Sequence, residues 1–584
     1  MIHNIKIVYL IDIIILSSYI FLLKKYIYAK INLVVKIIKG KKMEENKGFK
    51  SRIGFIFAAA GSAVGLGNLW AFPFKTGENG GAAFVLIYIL MAAIIGFVGM
   101  VSEMYIGKRT GRNIVDSYKN ANKKFTWVGV MGVLSTTIIA SYYIVLGGWV
   151  LKYAYSYLIG ANLALPGNDY AGYFAQFSSS GWEPILFMGI FFLVAMLILV
   201  FGVQKGIERI SKVLMPVLLV LMIGLMIKSL TLGEGVQKGI EFYLKPDFKN
   251  MKPQSVLAAM GQAFFSLSLG CGTMCVYGSY AKNHKGLAKS ASLVILLDTI
   301  VALIAGLIIF PAVFAFNKTP QGGPGLFFIV LPEIFAEMPA GRFFGFTFFF
   351  LVFIAAITSI ISMVEVALQT TIEKTKIKRP VAVAIFTVVI FAIGSMVSLS
   401  QGAVKGLQVN GIDLLTYFDT IISQYMMPFG TIVACMLVGW SISKKEIDDN
   451  FSDFKLKNVW LFFAKYITPL LVGCILFFGI FSFEGGFHFA NDWRMILTAV
   501  VMILLFASTN LIYLRITKSK SACLSLEELP NQNTINFDIP SADEKVIKSI
   551  DTVEYDADIR RNEQLKKLKI NNAKQQCRAK RNQK

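Results

Sequence analysis

Long apolar runs dominate the chain. From residue 43 onward they recur roughly every 30 to 50 residues, each about the 20 residues a helix needs to cross the hydrocarbon of a bilayer. The runs begin near Ile53, Ala82, Val128, Trp182, Ile210, Ser255, Ala288, Arg342, Val381, Asp413, Val459 and Trp493, which predicts about twelve spans. The short alternating segments of a membrane barrel are absent. The pattern therefore predicts an all-α integral membrane protein.

Two of these runs interrupt themselves. The first contains "AGSAVGLGNLWAFPFKTGENGG" and the sixth "GQAFFSLSLGCGTMCVYGSY", with glycines and small polar residues where apolar bulk is expected. A bilayer supplies no water to opened backbone, so such breaks persist only where protein or an aqueous cavity satisfies them. Breaks five spans apart, at corresponding places in two halves, point to an inverted-repeat transporter with its site near the midplane. Unwinding around Ala63 to Gly67 frees carbonyls for a cation and turns half-helix amides toward an anionic group. Gly65 and Gly67 permit the required dihedrals, and Asn68 adds a neutral oxygen suited to a hard ion such as sodium. The competing reading for Gly61 and Gly65 is close helix packing, to which Asn68, Pro73 and the matching sixth-span break give no support. A phosphate loop is disfavoured, because "GSAVGLGN" lacks the Gly-Lys-Ser/Thr end.

Composition narrows the picture. The chain has 584 residues, 55% apolar, 13% aromatic and 16% charged, with 48 Phe, a profile that excludes an ordinary soluble enzyme. A formal charge of +23 first suggests nucleic acid, but the basic residues sit in short loops and instead report topology. Lys108, Arg109, Arg112, Lys119, Lys123 and Lys124 lie between spans two and three, and Lys374, Lys376, Lys378 and Arg379 follow span eight. Residues 161–182 and 481–493 carry no Lys or Arg. The bias places both termini in the cytoplasm of a prokaryotic inner membrane, with the lysine-bearing loop at 228–252 as the exception. Six scattered cysteines imply no disulfide framework, and His3, His284 and His488 are too far apart to suggest zinc. Residues 1–42 read as an extra apolar helix, a signal anchor, or a mis-assigned start before "MEENKGFKSR"; residues 518–584 read as a mostly disordered cytoplasmic tail.

The stretches "AAAGSAVGLGNLWAFPF", "ENGGAAF", "GQAFFSLSLGCG" and "AAITSIIS" closely resemble the neurotransmitter:sodium symporter family, particularly its bacterial amino-acid transporters. The resemblance spans roughly Lys47 to Arg515. It implies the LeuT-type five-plus-five inverted repeat within residues 43–517, with repeat one about 50–230, repeat two about 253–445 and two further helices about 457–516. It further implies one sodium ion at Ala63, Asn68, Ser266 and Asp298, and a second at Gly61, Val64, Ala355, Thr358 and Ser359. A Thr-Ser pair inside a helix otherwise bonds its own preceding carbonyls. The implied substrate contacts are Ala63, Gly65, Leu66, Gly67, Tyr143, Phe265, Ser268, Gly270, Cys271 and Ser359, with Phe265 as lid and Tyr142 as a packing neighbour of Tyr143.

Many family members carry Asn where this chain has Asp298, and require chloride. A carboxylate beside Tyr88, Gln262 and Ser266 supplies the negative charge itself, so chloride independence is expected; the alternative is an Asp paired within the bundle for structure. The outer gate departs from the family pattern, since Ala71 stands where most relatives have Arg, while the acidic partner matches Asp419. At the inner gate, Lys47, Lys50 or Arg52 is a candidate partner for Glu373. Gly206 and Pro216 resemble the unwinding motif of span five. The resulting expectation is a sodium-coupled symporter, not an enzyme, that takes a neutral, hydrophobic or aromatic amino acid and binds no nucleic acid. An exchanger, or a sensor or channel on the same fold, is the alternative.

Overall fold

The computed structural model describes residues 49, 51–248, 253–281, 286–320, 325–409 and 411–480. The predicted N-terminal extension, the twelfth span and the C-terminal tail lie outside them, as do Lys47 and Lys50. Among the described residues the regular structure is helical, apart from isolated bridges at Leu165 with Asp169 and Val409 with Ile412. They belong to one compact unit that ends at Ile503.

The first span is broken. Helix α1 (Arg52–Ala63) and helix α2 (Gly67–Glu78) meet at 47°, and Ser51 caps α1 by accepting from Gly54 N at 3.0 Å. The chain returns through α3 (Ala82–Thr110), crosses a short amphipathic α4 (Ile114–Ala121) and rises through α5 (Lys123–Ile159). After α6 (Tyr170–Ser179) come α7 (Glu183–Val200) and α8 (Gly206–Leu230), followed by the non-spanning α9 (Val236–Leu244).

The sixth span is broken as well, into α10 (Pro253–Ser266) and α11 (Thr273–Tyr280). Then follow α12 (Leu287–Ala315), the short α13 (Leu331–Glu337), α14 (Gly341–Thr375), α15 (Arg379–Leu399), α16 (Leu414–Ser441), α17 (Lys444–Asn450) and α18 (Lys457–Leu476). The eleven predicted starts from Ile53 to Val459 each fall at or close to an observed span.

Burial separates core spans from rim spans. The apolar windows of α14 and α5 are 83% and 78% buried, against 28% for α8 and 22% for α18. The rim helices expose Val213, Val217, Val220, Ile223 and Leu470, a surface that suits lipid. Helices α5 and α14 pack most extensively on each other, and the two breaks face this pair.

Gly206 and Pro216 fall on differently wound backbone. Helix α8 continues through Pro216, and the irregular backbone lies before it: Gly202 turns with φ +77° and Val203–Glu208 winds as a π-helix. The wider π turn accommodates the local change in register; Gly206 lies in that π turn and Pro216 within the regular α-helix.

Candidate functional site

Helix α1 ends at Ala63, and its unsatisfied last-turn carbonyls meet helix α14. The Ser359 hydroxyl lies 3.4 Å from the Gly61 carbonyl, 3.3 Å from that of Ser62 and 3.2 Å from that of Val64. One hydroxyl proton can serve only one of these acceptors. The remaining carbonyl lone pairs face the same buried hydroxyl, a set of oxygens that a hard cation would neutralise. Thr358 Oγ1 lies beside this cluster and donates to the Ala355 carbonyl at 2.9 Å. All five residues of the expected second sodium set are therefore adjacent, and every donor atom is oxygen.

Asp298, on α12, anchors a second cluster. Its carboxylate accepts from Asn68 Nδ2 at 2.8 Å, from Ser266 Oγ at 2.8 Å and from Tyr88 Oη at 3.1 Å. All four side chains are fully buried, so these donors replace the water the carboxylate has lost. Two details differ from expectation. Asn68 turns its amide nitrogen, not its oxygen, toward Asp298, while Oδ1 accepts from Gly65 N at 3.2 Å and caps the break. Gln262 does not reach Asp298: its Nε2 donates to the Gly67 carbonyl at 2.7 Å, because the opened backbone of α2 offers the nearer acceptor, and its Oε1 has no partner.

The two breaks are tied together. Ser266 accepts from Asn68 at 3.0 Å, and Ser268 Oγ donates to the Ser62 carbonyl at 3.1 Å. Ser268 adopts φ +52°, a left-handed conformation that this bond helps to hold, and Gly270 follows at +78°. Tyr143 Oη accepts from Leu66 N at 3.0 Å, which sets it at the mouth of the broken span. A methyl group at Gly65 would collide with Ser359 Oγ and lie 2.7 Å from Tyr143 Oη. The Phe265 ring covers Gly67, where a Cβ would lie 3.2 Å from its Cδ1, and Cys271 is buried within the second break. Ala63, Gly65, Leu66, Gly67, Tyr143, Phe265, Ser268, Gly270, Cys271 and Ser359 thus all lie around the paired breaks.

Glu103 was not anticipated. This buried residue of α3 accepts from Gly270 N with one oxygen, while Oε2 has no partner. The available signal was a carboxylate inside a predicted span, the same reasoning that singled out Asp298.

The gates differ from expectation too. Asp419 accepts from Tyr142 Oη at 3.0 Å and from Ser423 Oγ at 2.7 Å, so Tyr142 is a bonding partner and not mere packing. Glu373 accepts from Asn113 N at 2.8 Å and Nδ2 at 2.7 Å. Arg52 instead turns its Nε toward Ser290 Oγ, 3.4 Å away, because its helix packs against α12. A separate clamp closes the basic end of the bundle. Glu365 is held by Arg379, with Nη1 at 3.0 Å, and by Tyr280 Oη at 2.6 Å, while Arg379 Nε donates to the Leu199 carbonyl at 2.7 Å.

Residues 46–166 and 177–520 match the sequence profile of the sodium:neurotransmitter symporter family. The uncharacterized sodium-dependent transporter YhdH of Bacillus subtilis is 36% identical over 442 residues, covering 74% of this chain and 98% of that protein. The rat sodium- and chloride-dependent GABA transporter 2 is 24% identical over 490 residues, covering 72% and 79%. Among solved structures, MhsT in complex with L-phenylalanine is 38% identical, with a TM-score of 0.70 over 74% of this chain and all of that one. The chain therefore belongs to the sodium:neurotransmitter symporter family, and is a sodium-dependent transporter of the LeuT-type inverted-repeat fold rather than an enzyme.

Proposed function

We propose that this protein imports a neutral, hydrophobic or aromatic amino acid by alternating access, coupled to the entry of two sodium ions and without a need for chloride. The observation that carries this reading is the convergence of the Gly61, Ser62 and Val64 carbonyls on the single hydroxyl of Ser359. An oxygen-only cluster of this kind suits sodium. The first sodium would be held by Ala63, Asn68, Ser266 and Asp298, with Asn68 turning its oxygen to the ion. The substrate carboxylate would meet Tyr143 Oη and the amides opened at Gly65 to Gly67, and Phe265 would cover its side chain.

Gly270, Cys271 and Gly272 carry little side-chain bulk beside the second break, although the two glycines pack closely on Met427 and Ile114; the L-phenylalanine bound by MhsT supports an aromatic first choice. Leucine-like substrates come second, since apolar pockets separate neighbouring side chains by only about 1–3 kcal/mol. One charge moving through about 100 mV contributes about 2.3 kcal/mol, enough to drive accumulation without ATP. The basic end of the bundle would face the cytoplasm of a prokaryotic cell.

The test is uptake of labelled neutral and aromatic amino acids into proteoliposomes in chloride-free buffer, with and without an inward sodium gradient. Concentrative uptake that requires sodium is the expected result. Equal uptake without sodium, or no uptake of any amino acid by reconstituted protein, would refute the proposal.

A further inference from the structure

Lysine is rare inside a membrane span. Lys465 lies eight residues beyond Lys457, the first residue of α18, which is about 12 Å along the helix axis. Helical side chains lean toward their own N-terminus, so this one reaches back toward the connection between α16 and α18. There its Nζ lies 4.5 Å from the centre of the Trp440 ring and 5.3 Å from that of Tyr466. In the same connection Glu446 pairs with Arg109, so the Lys465 ammonium sits at the basic end of the bundle.

The local backbone is shaped around this contact. Leu437–Ser441 of α16 and Phe463–Ile467 of α18 both wind as π-helix and pack against each other, an irregularity that recurs at functional sites. The two helices approach so closely that a Cβ on Gly439 would lie 2.8 Å from Lys465 Cα. Trp440 Nε1 donates to the Lys465 carbonyl at 3.1 Å, which fixes the indole against the lysine, and Tyr466 meets the indole edge-on with ring centres 5.6 Å apart. Aromatic faces attract the cation but leave its three N–H donors without an oxygen acceptor. Among the described residues no ion pair or hydrogen bond engages the Lys465 ammonium. Of the α17 carboxylates, Glu446 pairs with Arg109, Asp448 with Lys457, and Asp449 is exposed.

The position of this group determines what can cover it. Trp440 is 60% exposed, and Phe462, Tyr466 and Leu470, spaced by four along one face of α18, are exposed as well, on a helix whose apolar window is only 22% buried. Such a face suits lipid, and Trp and Tyr collect at the depth of the headgroups. We propose that Lys465, Trp440 and Tyr466 form a binding site for an anionic phospholipid of the leaflet at the basic end. The lipid phosphate accepts from the Lys465 ammonium, which the two rings hold in place, and an acyl chain follows Tyr466 and Leu470 deeper along α18. Lys444 and Lys445, exposed at the start of α17, add positive charge that favours a lipid of net negative charge over a zwitterionic one.

The test is native mass spectrometry of the delipidated full-length protein after addition of phosphatidylglycerol or phosphatidylcholine. Lys465→Gln should bind phosphatidylglycerol about fivefold more weakly than wild type, the factor that one basic residue contributes at an anionic surface, with no such difference for phosphatidylcholine. Lys465→Arg should keep wild-type binding and Trp440→Leu should lower it. Lys457→Gln, which removes a paired lysine at the same end, should leave it unchanged. Equal affinity of wild type for the two lipids, undiminished phosphatidylglycerol binding in Lys465→Gln, or displacement of the lipid by millimolar inorganic phosphate would overturn the site. A dimer that forms without lipid and is broken by Lys465→Gln would assign this face to a second copy of the chain and overturn it as well.

Discussion

Asp298 gathers three buried donors onto one carboxylate. Those donors come from Asn68, Ser266 and Tyr88, so substitution by Asn removes a charge and turns a new N–H toward them. Asp298→Asn should therefore depress uptake in chloride-free buffer about tenfold, since a buried polar mismatch costs about 1–3 kcal/mol, and added chloride should restore much of it. Uptake equal with and without chloride in this variant would end the charge-substitution reading. The rarity of a carboxylate in an apolar run made Asp298 legible. The same rule reaches Glu103, but its contact with Gly270 N was not legible, because it depends on how α3 packs against the second break.

The two broken helices work as a pair. Gly65 lets the backbone of the first approach Ser359 and Tyr143 on two other spans, and no side chain fits in that gap. Gly65→Ala should fold and insert yet weaken sodium-dependent amino-acid binding by about 1–3 kcal/mol, the usual cost of overpacking. Scintillation-proximity binding checks this, and wild-type affinity would show that the close approach has no role in binding. Glycines and small polar residues inside apolar runs announced both interruptions. The bonds that join them, Asn68 to Ser266 and Ser268 to Ser62, connect residues 198 and 206 positions apart. No local pattern encodes such a pairing.

The proposed alternating access requires the whole bundle to hold and release its ends. At the basic end, the Arg379–Glu365–Tyr280 cluster and the Leu199 carbonyl tie together helices α15, α14, α11 and α7. Glu365 is fully buried, so removing its partner leaves an uncompensated charge, which costs about 3–5 kcal/mol. Arg379→Met should lower the melting temperature in detergent and speed thiol labelling of a Ser279→Cys probe from the basic side. An unchanged labelling rate would show that this cluster does not help to close that end. The sequence offers Lys47, Lys50 or Arg52 as the partner of Glu373 there; both lysines lie outside the described residues, and among those described Asn113 donates to Glu373.

The places of the eleven spans that fall on described residues, the positions of both breaks, the membrane environment and the bias of basic loops follow from the sequence alone. Hydrophobic run length, glycine and charge are local properties that a bilayer sorts directly. Membership of the symporter family was legible in the motifs for a related reason, since residues that line a break are clustered along the chain. Only the tertiary structure decided that Gln262 holds the Gly67 carbonyl and that Tyr142 bonds Asp419 across 277 positions. Which polar groups meet inside a bundle depends on the rotation and register of packed helices. Those are set by the sum of many weak side-chain contacts, and no short stretch of sequence contains that sum.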